Sequence, residues 1–161
     1  MSCGAATESE PDIQPGSFEV DKKAQDGKTY IGMVVRDNGT REAISQRLNK
    51  TLQKDSTYNF SCWLARSPIY LSRSSTTGRE ANYNTPCALR VYLGDKYCKR
   101  VQYIGGIKKV TNEAWTEFNF EFTPKKDFEF FSIEADYYDI DEDPYSGNVL
   151  IDNISLYKVK K

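Results

Sequence analysis

Histidine is absent from all 161 residues. That absence removes the Ser-His-Asp and Cys-His nucleophile systems, the His-based zinc hydrolases and any imidazole pH switch. An excess of charge of one sign is missing too: 22 Lys and Arg nearly balance 23 Asp and Glu, for a net charge of -1. No long-range field therefore recruits nucleic acid or an anionic membrane. No stretch approaches the roughly 20 apolar residues that would span a bilayer. The start, Met1-Ser2-Cys3-Gly4, has neither the basic residues nor the apolar core of an export signal, so such a signal has been removed or was never there. The four cysteines, Cys3, Cys62, Cys87 and Cys98, form none of the close pairs that a structural zinc site needs. Buried thiols and one or two disulfides both remain open from spacing alone.

Helical stripes are scarce as well, and what stands in their place is alternation. Between Gly and Pro punctuation, runs of Tyr, Phe, Val, Ile and Thr alternate with polar residues at a period of two. The pattern predicts strands over 29–35, 42–48, 57–65, 87–93, 98–104, 114–122, 127–137 and 148–158. The segment 41–50 contains good helix formers, but its alternation favours a strand. The length fits one domain, and about eight short strands without helices must bury their apolar faces on one another. The expected fold is all-β, an antiparallel β-sandwich of the jelly-roll kind, over 29–161. Residues 1–28, rich in Pro, Gly, Glu and Asp, read as an irregular N-terminal arm with at most a short strand at 17–20. A second irregular stretch of about twenty residues follows Arg66, and loops of that length in compact domains are usually functional or disordered. Tyr70 and Tyr83 within it argue for order.

Alternation also sorts the faces. In 57–65, Tyr58, Phe60, Cys62 and Leu64 form the apolar set, leaving Trp63 on the polar side. In 87–93, Cys87, Leu89, Val91 and Leu93 point inward, leaving Arg90 and Tyr92 outside. Ile44, Gln46 and Leu48 are the expected core set of 42–48. Phe118, Phe120 and Phe122 are the inward set of 114–122, with Trp115 opposite. In 127–137, Phe131, Ile133 and Ala135 inward would leave Glu134 and Asp136 outward. An outward aromatic has a structural reading, as cover for a loop or as a cross-strand pair. Trp63, Arg90 and Tyr92 together, if their strands share a sheet, suit a ligand with an apolar face and a hydroxylated rim, as a sugar ring has. Arg66 opens the long loop that carries Tyr83 and Asn82, which could close over such a ligand. An arginine tying that loop to backbone carbonyls is the equal alternative.

The run AISQRLNKTLQKDSTYNFSCWLAR at 43–66 is similar to a segment of carbohydrate-binding modules of families 4, 9 and 22, and NVLIDNISLYKV at 148–159 resembles their terminal strand. DIQPGSF (12–18), DGKTYIGMVVRDNGTREAI (26–44), LARSPIYLS (64–72), ANYNTP (81–86), LRVYLG (89–94) and PYSGNVLIDN (144–153) resemble domains of Bacteroidota surface proteins, among them gliding-motility-associated and outer-membrane-protein-A-like ones. The resemblance implies a galactose-binding-like jelly roll, secreted or on the cell surface, that binds a glycan or cell-surface polysaccharide without catalysis. Trp63, Tyr92, Arg90, Arg66, Tyr83 and Asn82 are its expected ligand-binding residues. It further implies a Cys3–Cys98 disulfide, and a structural calcium for which Asp152 is the best-matched ligand; a hydrogen-bonded aspartate in the last strand is the alternative. A protein-interaction or assembly module on a bacterial surface would use the same exposed aromatics and arginines.

Two further acidic patterns are present. Asp139, Asp141 and Asp143 have the odd spacing of an EF-hand loop, but Pro144 and Leu150 stand where its glycine and bidentate glutamate belong. Glu134 and Asp136, two apart on one strand face, could meet the carboxylate separation of a glycosidase. With 23 acidic residues, a surface charge ladder is the simpler expectation, and no enzyme is expected.

Overall fold

The computed structural model describes residue 3 and residues 9–138 and 143–159. Among them are twelve strands and no helix. They are β1 (Asp12–Gln14), β2 (Tyr30–Val35), β3 (Ala43–Leu52), β4 (Tyr58–Ala65), β5 (Leu71–Arg73), β6 (Glu80–Asn82), β7 (Thr85–Pro86), β8 (Ala88–Gly94), β9 (Gln102–Ile107), β10 (Thr116–Phe122), β11 (Phe128–Asp136) and β12 (Gly147–Lys158). Eight match the alternating runs. The four additional strands, of two or three residues, lie in the arm and the long loop, where so short a segment carries no periodicity to read.

Two antiparallel sheets face each other. Sheet I runs β1-β2-β12-β4-β10, with β7 parallel beside β12, and sheet II runs β3-β11-β8-β9. The inward sets interdigitate between them: Phe60, Cys62 and Leu64 from β4, Met33 and Val35 from β2, and Val149 and Ile151 from β12 meet Leu89, Val91 and Leu93 from β8 and Ile133 and Ala135 from β11. This is a jelly-roll β-sandwich, with period-two apolar faces turned toward one core. Cys62 and Cys87 are buried free thiols within it. Gln46 of the expected core set is exposed, because β3 is an edge strand where inward parity does not guarantee cover.

A second apolar cluster lies on the outer face of sheet I. Tyr30 and Val34 of β2, Ala65 of β4 and Leu150 of β12 are roofed by Val20 of the arm and by Tyr70 and Tyr83 of the long loop. Gly32 makes room for that roof: a Cβ there would lie 3.0 Å from the Tyr70 hydroxyl oxygen. The arm strand is at 12–14, where it pairs with β2, and not at 17–20. Gly16, Phe18 and Glu19 have positive φ, so the chain turns where a strand was expected.

The strand expected at 98–104 begins four residues later. Cys98 has φ 60° in a turn, where it is disulfide-bonded to Cys3 across 95 residues of sequence with a Cα–Cα distance of 5.4 Å. The bridge anchors the start of the chain to sheet II, and the Cys3 N–H donates to the Ala43 carbonyl at 3.1 Å.

Candidate functional site

Trp63 and Tyr92 do not share a wall. Trp63 is on β4 of sheet I, between Glu117 of β10 and Asp152 of β12; Tyr92 is on β8 of sheet II. The two rings, both half-buried, project from opposite outer faces of the sandwich. Alternation fixes whether a side chain points out; it does not say from which sheet, because the chain passes between sheets at its turns.

The long-loop residues are structural. Tyr83 is 2% exposed and its hydroxyl donates to the Arg73 carbonyl, so it cannot stack on a ligand. Asn82 accepts from the Tyr70 N–H at 2.9 Å and donates to the Pro68 carbonyl at 3.0 Å. Arg66 donates to the Thr111 and Asn84 carbonyls and to Glu113, tying the loop down as its alternative reading had it. Tyr70 packs in the second core with its hydroxyl bonded to Asp12, and burial pushes that hydroxyl up. Asp37 holds the far end of the loop by accepting from Ser74, Ser75 and Thr76; burial alone would raise its carboxyl, but these donors together outweigh it and lower it.

Asp152 also has a structural task. One carboxylate oxygen accepts from the N–H groups of Gln25 (2.9 Å) and Asp26 (3.1 Å), the other from Asn153 N–H (2.7 Å). Its lone pairs hold the arm, and among the described residues no three acidic or thiol side chains are grouped to hold a metal. Asp152 is here the hydrogen-bonded aspartate of its alternative reading. Asp139 and Asp141 lie outside the described residues.

Arg90 and Tyr92 stay together on the outer face of sheet II. Antiparallel pairing lines up two rows there. Ala43, Glu134, Arg90 and Gly106 cross the sheet in one, and Ser45, Ser132, Tyr92 and Tyr103 in the other. Glu134 and Asp136 point outward, as their parity requires, yet their side chains are only 2% and 8% exposed. Three arginines cover them. Arg41 and Arg100 reach Glu134 at 2.9 and 2.8 Å, while Arg41 and Arg90 pair with Asp136. Burial raises the Glu134 carboxyl, and Arg100 and Arg41 pull it part of the way back. The arrangement is a charge-paired platform, and neither carboxylate is placed across an open cleft from the other.

Aromatic rings crown the platform. Tyr92 packs at 60° against Tyr103 with centroids 5.5 Å apart, and Arg100 lies over Tyr92 at 5.8 Å. Tyr103 on the edge strand β9 is 54% exposed. It stands between two hollows. One, of about 310 Å³, is lined by Arg90, Gly106, Lys108 and Tyr138. The other, of about 370 Å³, is lined by Val101, Gln102, Lys125, Lys126 and Phe128. Both are at the lower end of ligand-site volumes. Tyr103 was not legible because the run Cys-Lys-Arg-Val-Gln-Tyr-Ile at 98–104 does not alternate and its faces cannot be sorted from sequence. Its signal is the aromatic of the run Gln-Tyr-Ile-Gly-Gly, in which Gly106, opposite Arg90, leaves the surface beside the ring without a side chain.

No family model matches the chain, and no curated protein matches it in sequence. Solved structures do resemble it. The C-terminal CBM6 of LamC, a marine laminarinase from Zobellia galactanivorans, superposes with a TM-score of 0.54 at 10% identity, over 92% of this chain and 88% of that one. The CBM22-1 xylan-binding domain of Paenibacillus barcinonensis Xyn10C gives 0.51 at 15% identity, over 97% and 90%. A CBM4 structure gives 0.50 at 15%, over 83% and 74%. The chain therefore has the jelly-roll fold of carbohydrate-binding modules.

Proposed function

We propose that this chain is a non-catalytic glycan-binding domain that takes an oligosaccharide along the outer face of sheet II. Tyr103 serves as the stacking ring, Tyr92 buttresses it, and Arg90 supplies hydrogen bonds from its terminal nitrogens. The observation that carries the reading is the exposed Tyr103 ring between two hollows. A chain of sugars can lay one ring on the tyrosine and set its neighbours to either side, where Arg90 and Lys108 or Gln102 and Lys125 offer donors to hydroxyls. Its similarity in fold to modules of laminarinase and xylanase enzymes supports a β-linked polysaccharide as the ligand class. Burial, followed by the Glu134 carboxylate, pushes the Tyr92 hydroxyl up and keeps it a neutral donor. The Cys3–Cys98 bridge supports work outside the cytoplasm, where disulfides persist. The resemblance to Bacteroidota surface domains supports a place on a bacterial surface.

Isothermal titration with laminarihexaose and xylohexaose tests it. Tyr103→Ala is expected to weaken binding at least tenfold, a loss of about 1.4 kcal/mol, with an unchanged melting temperature, while Trp63→Ala leaves binding as it was. Loss of binding with Trp63→Ala alone would move the site to sheet I, and no binding to any member of a broad glycan array would sink the function.

A further inference from the structure

Sheet II ends at β3, and the main chain of β3 alternates in direction. Glu42 O accepts from Ala135 N–H of β11, so the next carbonyl points away from the sheet, where Ala43 O accepts from Cys3 N–H. The main chain of Cys3 is thus already bonded at the start of this edge. On the side away from β11 no described strand pairs β3. Facing it is a second open edge: β12 pairs with β2 only from Gly147 to Ile151, and from there to Lys158 only β4 holds it, on its other side. Both edges are bulged. Five steps along β3, from Arg47 to Leu52, match two along β11, and three along β12, from Asp152 to Ser155, match two along β4. Such bulges re-aim strands at sheet margins.

Between the two edges the sandwich gapes. The cleft holds about 830 Å³. Its floor is Ile31, Ile44, Leu48, Phe131, Ile154 and Leu156, all partly buried against the main core except Phe131, which belongs to it. The only charged residues lining it are Lys50 and Lys158. Neither 43–52 nor 153–158 contains an acidic residue; Arg47 of the first is paired with Glu129 of β11 at 2.9 Å.

We infer that this cleft receives an extended polypeptide strand from a protein partner, added to the free edge of β3, with apolar side chains at alternate positions turned inward and acidic ones turned out. Three observations meet in that occupant. The open edge offers main-chain donors and acceptors, the currency of strand addition. The aliphatic floor takes every second side chain, as the period of a strand demands. The lysine rim complements carboxylates, and lysine on an edge strand deters pairing with a second copy. Tyr58, Tyr157, Gln46, Asn49 and Gln53 also line the cleft, so slowed exchange over 47–51 with laminarihexaose in place of peptide would replace the polypeptide by a saccharide. This inference does not depend on the glycan site.

A library of random dodecapeptides displayed on phage provides the probe. Selection on the whole protein should enrich peptides that alternate apolar with Asp or Glu. A labelled synthetic copy should bind with its anisotropy signal weakened at least tenfold in K50E/K158E, two exposed positions whose reversal leaves the melting temperature intact, and Asn49→Asp is a milder second variant on the same rim. Bound peptide should slow amide exchange over 47–51. The inference falls if selection yields no alternating pattern, if enriched peptides bind both variants as they bind the parent, if exchange slows only elsewhere, or if light scattering shows a dimer closing the cleft.

Discussion

Tyr83 and Tyr103 show what decides the role of a tyrosine. Tyr83 stands between two asparagines and Tyr103 between Gln102 and Ile104. Tyr83 is fixed by a sheet face on one side and its loop on the other, with its hydroxyl satisfied by Arg73, so it behaves as core. Tyr83→Ala is expected to cost about 3–5 kcal/mol, the range for truncating a buried aromatic, and Tyr83→Phe about 1 kcal/mol for the lost hydrogen bond. Urea unfolding checks both; an Ala variant as stable as the parent would return Tyr83 to the ligand-contact reading. Tyr103 has lost water on less than half of its surface, so its truncation should cost little stability and act on binding alone.

Among elements, β9 shows how backbone sets the shape of a site. Gly106 sits opposite Arg90, and a Cβ there would lie 2.1 Å from the Leu89 carbonyl oxygen, a backbone atom that cannot rotate aside. Gly106→Ala must push β9 off β8, with an expected cost of about 1–3 kcal/mol and a loss of saccharide binding out of proportion to it, read by titration on the folded fraction. The disulfide is the other device at this level. It closes 95 residues of chain and pins Cys3 beside Ala43. Replacing Cys98 with Ser should lower stability by about 3 kcal/mol and speed exchange at the start of β3; intact mass after alkylation of the native protein should show two modified thiols on full unfolding, from Cys62 and Cys87. The eight long strands were legible because each is a run of six or more residues rich in β-branched, aromatic and other apolar side chains between turn residues. The short strands β1, β5, β6 and β7 were not, since they are stabilised by tertiary pairing that no local pattern records.

At the scale of the molecule, parity was legible and sheet membership was not. Phe131, Ile133 and Ala135 face inward as their spacing requires, but nothing in 57–65 or 87–93 says that one strand joins sheet I and the other sheet II, and on that division the common wall of Trp63 and Tyr92 fails. The buried carboxylates were equally hidden, because charge cover by Arg41, Arg90 and Arg100 comes from three separate segments. Glu42 makes the same point for the whole chain. It accepts from Ser9 of the arm, from Val34 N–H of β2 and from Arg36, while its own backbone carbonyl accepts from β11. Burial pushes its carboxyl from 4.5 up to about 7, against the pull of Arg36 and the hydrogen bonds. Glu134 is raised in the same direction by the same cause. A raised carboxyl keeps its proton in the folded protein where the unfolded chain has lost it, so between about pH 4.5 and 7 the folded state binds more protons and stability falls as pH rises. Unfolding free energies are therefore expected to decline by about 2 kcal/mol from pH 5 to pH 7.5, given about 1.4 kcal/mol per pKa unit and partial burial. Glu42→Gln, which cannot titrate, should flatten most of that slope. A stability that climbs over the same interval would mean that Arg36 holds the carboxylate ionised and that the ion pair outweighs its desolvation.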